Sequence, residues 1–375
     1  MVRAEALKPR PGVLAVDPYV PGRSKLAGAG PVIKLSSNET PLGPSPHAVE
    51  AFREAASGLY RYPDGSYTSL REALGAFYGL NPAHIVCGNG SDELFHVLAQ
   101  AYLGPGDEAI YTEHGFLVYR IAILAAGAEP VIAPERNLTA NADEILGCMT
   151  PRTRAVFIAN PNNPTGTLAP ADEVLRLIQG LPPEVVLVVD EAYREYQEQP
   201  LDLLPYIRNG QHPNLVLVRT FSKIYGLAGL RLGYGLGHRD LIGALEKVRA
   251  PFNTNHLAQV AALAALDDRE HLQKTRANNT AGLRFLEAGF RRLGLEYVPS
   301  SANFILVRVG DGPAVCQALQ RLGVITRPLA NYQLPEFLRI TVGTPAENTR
   351  CLAAMATVCG QGAEARAPSA SPTPN

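Results

Sequence analysis

Cysteine is scarce and scattered in this sequence. The five residues, Cys87, Cys148, Cys316, Cys351 and Cys359, are odd in number and contain no C-x-x-C pair. No His/Cys cluster has zinc spacing, so neither a disulfide framework nor a metal site is expected. Reduced, buried thiols in a cytoplasmic protein are the expectation. No run of about 18 apolar residues exists, and so no membrane span is expected. The N-terminal MVRAEALKPRPGVLAVDPYV lacks a long apolar segment and carries a Pro-Arg-Pro break, unlike a secretory signal. Excess charge is missing too: 34 basic residues face 35 acidic ones, a net charge of -1. Neither nucleic acid nor an anionic membrane is an expected partner.

What is present is an ordinary soluble enzyme composition, 46% hydrophobic and 18% charged. A chain of 375 residues is long for one core and favours two domains. Residues 1–30 are rich in Pro, Gly and Ala and read as an N-terminal arm. The end of the chain, residues 363–375, reads as a disordered tail.

Between them, strands and helices alternate. HIVCG (84–88), EAIYTE (108–113), EPVIAP (129–134), RAVFIAN (154–160), NLVLVRTFSK (214–223) and LRLGYGLG (230–237) read as strands. EVVLVVDEAY (184–193) holds five consecutive aliphatics, as in a strand covered on both faces. SDELFHVLAQAYL (91–103) reads as a helix. This alternation predicts an α/β fold with a largely parallel sheet over residues 31–255, the first fifteen or so of which could pack with the smaller domain that follows. A long helical stretch then precedes a compact α/β pattern, predicting a smaller domain over 256–362.

Ligands of parallel sheets bind beyond the carboxyl ends of the strands. GNGSDE (88–93) is a strand-to-helix turn of small residues, with Ser91 as the expected helix N-cap; its backbone could approach a phosphate. ANPNNPTG (159–166) is a stiff turn with side-chain amides. Asp190 ends an apolar strand and calls for a cationic partner. Lys223 follows Thr220 and Ser222 directly after a strand, with Arg231 in the Gly-rich stretch beyond. A confined lysine can serve as a nucleophile, and Ser, Thr and Arg bind phosphate. A plain turn, a capped helix and a surface lysine would each explain one of these pieces. A phosphorylated pyridine aldehyde meets all of them together.

NPNNPTG, DEAY and TFSKIYGLAGLRLGY resemble the motifs of fold-type I pyridoxal-5′-phosphate (PLP) transferases. The set is most similar to the histidinol-phosphate aminotransferase branch, as are SSNETPLGPSP, RYPDGSYTSLREAL, GNGSDEL and LRITVGT. The resemblance covers residues 30 to 360. It implies that Lys223 holds the cofactor as a Schiff base and later moves a proton, that Asp190 pairs with the ring nitrogen, and that Tyr193 and Asn163 donate to the ring 3′ oxygen. It places Phe116 on the ring face, with His114 as a rival. Ser91, Asp92, Thr220, Ser222 and Arg231 would bind the phosphate, and Tyr62 would reach it from a second subunit of a homodimer.

Arg339 resembles the arginine that binds the substrate carboxylate, and its planar fork suits a phosphate as well. Arg327 is the second candidate anion contact, against a bland surface arginine. Asn38 and Tyr19 are candidates to close over the substrate. The implied reaction is transamination between L-histidinol phosphate and 2-oxoglutarate. An aromatic amino-acid aminotransferase, a phosphothreonine decarboxylase and a PLP-binding regulator without turnover are the alternatives.

Overall fold

A computed structural model describes residues 7–26 and 31–364. The expected tail falls almost wholly outside the described residues, as do residues 1–6 and 27–30 of the arm. The last helix runs through Glu364, two residues into the span read as tail.

The central element is a seven-stranded sheet. Its order is Ile85–Gly88, Gly233–Gly237, Leu215–Thr220, Val186–Asp190, Thr153–Ala159, Glu108–Thr112 and Glu129–Ala133. All pairings are parallel except the two made by Gly233–Gly237. The α/β class and the mostly parallel mixed sheet are therefore as expected. Alternate side chains of one strand enter opposite layers: Leu187 and Val189 join one buried cluster, Val186 and Val188 the other. That two-sided covering is the reason for the unbroken aliphatic run, since each such burial contributes roughly 1.5–3 kcal/mol.

Two readings of the secondary structure are corrected. The strand read over 230–237 begins only at Gly233, because Arg231 adopts a left-handed φ of 55°. The long helical stretch is two helices, His256–Asp267 and Arg269–Arg292, parted at Asp268. Asp268 leaves helical geometry, and its carboxylate caps the second helix by accepting from His271 N.

The C-terminal region builds a four-stranded antiparallel sheet from Arg327–Leu329, Leu334–Thr341, Phe304–Arg308 and Tyr297–Val298. Ile33–Lys34 pairs in parallel with Val324–Ile325, and Ile33 and Leu35 share the cluster of Ile305, Leu338 and Met355. All five cysteines are free thiols; Cys87, Cys316 and Cys351 are buried, whereas Cys148 and Cys359 are only half-buried.

Candidate active site

Four strands of the large sheet deliver their ends to one edge. Gly88, Ala159, Asp190 and Thr220 are the last residues of their strands. The reversed strand starts at the same edge, with Gly233 paired to Gly88 and Thr220. That reversal brings Arg231 to the edge as well. A cavity of about 200 Å³ lies there. It is lined by Ser91, Asp92, Phe116, Asn163, Asp190, Tyr193, Thr220, Ser222, Lys223 and Arg231. Tyr19 and Asn38 come from the N-terminal segment, and Arg327 and Arg339 from the small sheet. Of the candidate residues, Tyr62 and His114 lie elsewhere; Tyr62 is 82% exposed and stacks on Phe252 at 4.7 Å.

One end of the cavity suits an anion. The helix Ser91–Tyr102 begins there, but its N-cap is Gly90 with φ 84°, not Ser91 as expected. Glycine is required twice. A Cβ on Gly90 would meet Arg231 Nη2 at 2.5 Å, and one on Gly233 would meet Ser91 N at 2.5 Å. Arg231 donates to Asp92 Oδ2 at 3.0 Å and to Ser222 Oγ at 3.5 Å. Free helix N–H groups with a guanidinium beside them form a ready oxyanion cradle. The Thr220 hydroxyl is spent inside the turn, accepting from Ser222 N at 3.1 Å and donating to Leu232 O at 3.4 Å. Thr220 nevertheless lines the cavity beside Ser222.

The floor is acidic. Burial pushes the Asp190 carboxyl up to about 6, against the hydrogen bonds from Tyr119 and Ala192 N. Among the described residues no cationic side chain pairs with it. Arg219, fully buried one strand away, donates instead to Glu191 Oε2 at 2.7 Å. Asp190 therefore keeps an uncompensated demand for positive charge, as a cationic ligand would satisfy. Burial, and then the Arg339 charge, lower the pKa of the Lys223 ammonium, which lies 5.7 Å from the Tyr193 ring centroid. A lysine so placed is a better nucleophile at neutral pH.

The opposite wall holds the arginines. Arg339 is 7% exposed. It donates from Nη1 to Asn163 Oδ1 at 2.5 Å and from Nη2 to Ser36 O at 3.0 Å, while its Nε has no partner. With Oδ1 engaged, Asn163 retains Nδ2 as a donor. Arg327 is also buried, contrary to its bland alternative, and donates to Val20 O at 2.8 Å. The Asn38 amide donates to Tyr193 OH at 2.9 Å and accepts from Thr341, at the wall of the cavity. His114 is withdrawn from the cavity, with Nδ1 2.9 Å from Glu135 Oε2. Phe116, half-buried, lines the cavity in its stead.

Residues 30–355 match the family described as aminotransferase class I and II. The chain belongs to that family. It is 48% identical over 353 residues to the histidinol-phosphate aminotransferase of Rhodopseudomonas palustris strain HaA2, covering 92% of this chain and 97% of that protein. It is 47% identical over 368 residues to histidinol-phosphate aminotransferase 2 of Ralstonia nicotianae, covering 95% and 98%. The crystal structure of histidinol-phosphate aminotransferase from Sinorhizobium meliloti in complex with pyridoxal-5′-phosphate matches with a TM-score of 0.82 and 28% identity, over 88% of this chain and 92% of that one.

This aminotransferase has site residues that the sequence reading missed. Tyr119 donates to Asp190, Ser36 O receives Arg339, and Ser37, Pro21 and Gly22 line the cavity. A helix residue three positions after Phe116 was a visible signal for Tyr119, and Ser36 and Ser37 open the SSNETPLGPSP motif; Pro21 and Gly22 lie in a segment without pattern. No helix among the described residues is long and apolar enough to cross a membrane, and no group of three or more His, Cys, Asp or Glu among them is placed to hold a metal ion.

Proposed function

We propose that this aminotransferase uses PLP to move the amino group of L-histidinol phosphate to 2-oxoglutarate, giving imidazole-acetol phosphate and L-glutamate, a step of histidine biosynthesis. The observation that carries the reading is two buried arginines, Arg327 and Arg339, facing the phosphate cradle, Lys223 and Asp190 across one cavity. The names of the relatives, matched over more than nine-tenths of the chain, agree with it.

The residues fit the cofactor. A phosphate suits the N–H groups of Ser91 and Asp92, Ser222 and Arg231; a protonated ring nitrogen suits Asp190; the partnerless Arg339 Nε suits a substrate oxyanion. When bound, PLP supplies an aldehyde carbon that takes up an amino group and a ring that withdraws electrons from it. Lys223 Nζ would hold it, and once released would move the proton at the substrate carbon. Tyr193 OH and Asn163 Nδ2 would donate to the ring oxygen, and Phe116 would pack against the ring. Arg339 and Arg327 would take the phosphate of one substrate and the carboxylates of the other, since both present oxyanions. Tyr19 would cover the substrate.

The active form in this reading is a homodimer. Leu59, Tyr60 and Tyr62 are exposed together with Phe252, and Tyr62 would enter the phosphate site of a second copy. The division into an arm, a large domain to about residue 255 and a small domain to 362 belongs to the same proposal, with Ile33 and Leu35 packed on the small domain.

The test is a half-reaction. L-histidinol phosphate, L-phenylalanine and L-phosphothreonine are added separately to the PLP-loaded protein without an oxo-acid. Fast loss of the bound cofactor's visible band with histidinol phosphate alone is expected. Faster loss with phenylalanine would overturn the substrate assignment. Lys223→Ala should abolish the covalent band, and its persistence after reduction and dialysis would overturn the role of Lys223.

A further inference from the structure

Tyr119 is fully buried, and its hydroxyl donates to Asp190 Oδ2 across 2.7 Å. The other oxygen, Oδ1, accepts from Ala192 N at 3.0 Å. One donor on each oxygen fixes the plane of the carboxylate. Each oxygen keeps a second lone pair for a ligand.

The type of donor matters. Burial and the Asp190 charge keep the Tyr119 phenol well above its usual range, so it stays neutral. A lysine or arginine there would satisfy Asp190 by itself and cancel its demand for a cationic ligand. An apolar residue would leave the carboxylate free to rotate and raise its proton affinity. A neutral hydroxyl orients the acid without neutralising it.

The phenol is itself held rigidly. Its ring stacks on Phe157 at 5.4 Å and meets the edges of Phe95 at 4.9 Å and Phe116 at 5.9 Å. Phe116 immediately precedes the helix Leu117–Ala126, less than one turn from Tyr119. The residue that aims the acid thus also braces the aromatic assigned to the face of the ring.

We propose that Tyr119 is a positioning residue that aims the Asp190 carboxylate at the cofactor's ring nitrogen and holds it anionic. This rests on the cofactor reading above.

The experiment compares the native chain with Tyr119→Phe, which removes one oxygen and keeps the ring packing. Cofactor-free protein is loaded with PLP, or with an analogue carrying carbon in place of the ring nitrogen, and dissociation constants are read by equilibrium dialysis. The variant should bind PLP roughly 10–100-fold more weakly, the effect of one hydrogen bond to a charged group. The analogue should bind native and variant alike, because it gives Asp190 nothing to hold. The ratio between the two cofactors is measured on one folded sample, so a general loss of stability cancels from it. Equal PLP affinities for native and variant would overturn the proposal, and so would the same penalty with both cofactors. Failure of the native chain to bind PLP would instead overturn the cofactor reading, and this role with it.

Discussion

Asn38 Nδ2 donates to Tyr193 OH across 2.9 Å, joining the N-terminal segment to the turn that follows the Val186–Asp190 strand. Asn38 does this from a left-handed backbone, φ 58°. Two costs are therefore separable. Asn38→Gly removes only the amide, whereas Asn38→Ala also strains the backbone by roughly 1–2 kcal/mol. Alanine should be the less stable of the two by about that amount in urea unfolding. Burial pushes the Tyr193 phenol up to about 12 against the opposing Arg339 charge and the Asn38 hydrogen bond, so both variants should raise it further and lower kcat several-fold. Equal stability of the two variants would contradict the strained conformation.

The pH dependence follows from Asp190. Its carboxyl sits at about 6 in the folded chain against 3.8 unfolded, and Tyr119, Ala192 N, Asp92 and Lys223 face it. A raised acid pKa means the folded state binds the proton more tightly. Its contribution is present below the unfolded value and is lost as pH rises through the folded one, roughly 3 kcal/mol in all. The cofactor-free protein should lose stability between about pH 4 and pH 6, and Asp190→Asn should flatten that slope. Affinity for PLP should change in the opposite sense, rising with pH through about 6 as the anion forms. Chemical unfolding and dialysis across this range check both signs.

Arg339 lowers the pKa of the Lys223 ammonium by charge, second only to burial. Arg339→Gln should raise it again and leave more lysine protonated at neutral pH. Covalent loading of the cofactor-free protein with PLP should then slow several-fold in stopped-flow absorbance. An unchanged loading rate would separate the two residues electrostatically.

The pair formed by Arg219 and Glu191 is structural. Both are buried, and neither lines the cavity. Arg219→Leu leaves Glu191 without its partner at 2.7 Å, and breaking such a pair costs roughly 3–5 kcal/mol. The midpoint of urea unfolding should fall accordingly. Pairing the change with Glu191→Leu should recover part of the loss.

Gly233→Ala tests the cradle without removing a polar side chain. Its Cβ would press on Ser91 N at 2.5 Å, so the helix start must shift. PLP affinity should drop at least tenfold for a displacement that costs about 1.4 kcal/mol at the phosphate. A fully loaded variant would argue that the phosphate does not sit at Ser91.

The class of fold and many of the cavity's polar residues were legible in the order of residues alone. Aliphatic runs such as 185–189, five β-prone residues between turn signals, fit strands covered on both sides, and polar residues directly after parallel strands gather at one sheet edge. Lys223, Asp190, Asn163 and Arg231 were legible for that reason. Their partners emerge only when the chain is packed. Which acid Arg219 would neutralise, Asp190 or its neighbour Glu191, depends on opposite faces of one strand end, and the chain order contains no such distance. Tyr119 reaches Asp190 across 71 positions, and Arg339 reaches Asn163 across 176. The reversed strand that brings Arg231 to the carboxyl edge is a property of sheet order. Contacts of this kind arise from packing, which no local pattern encodes.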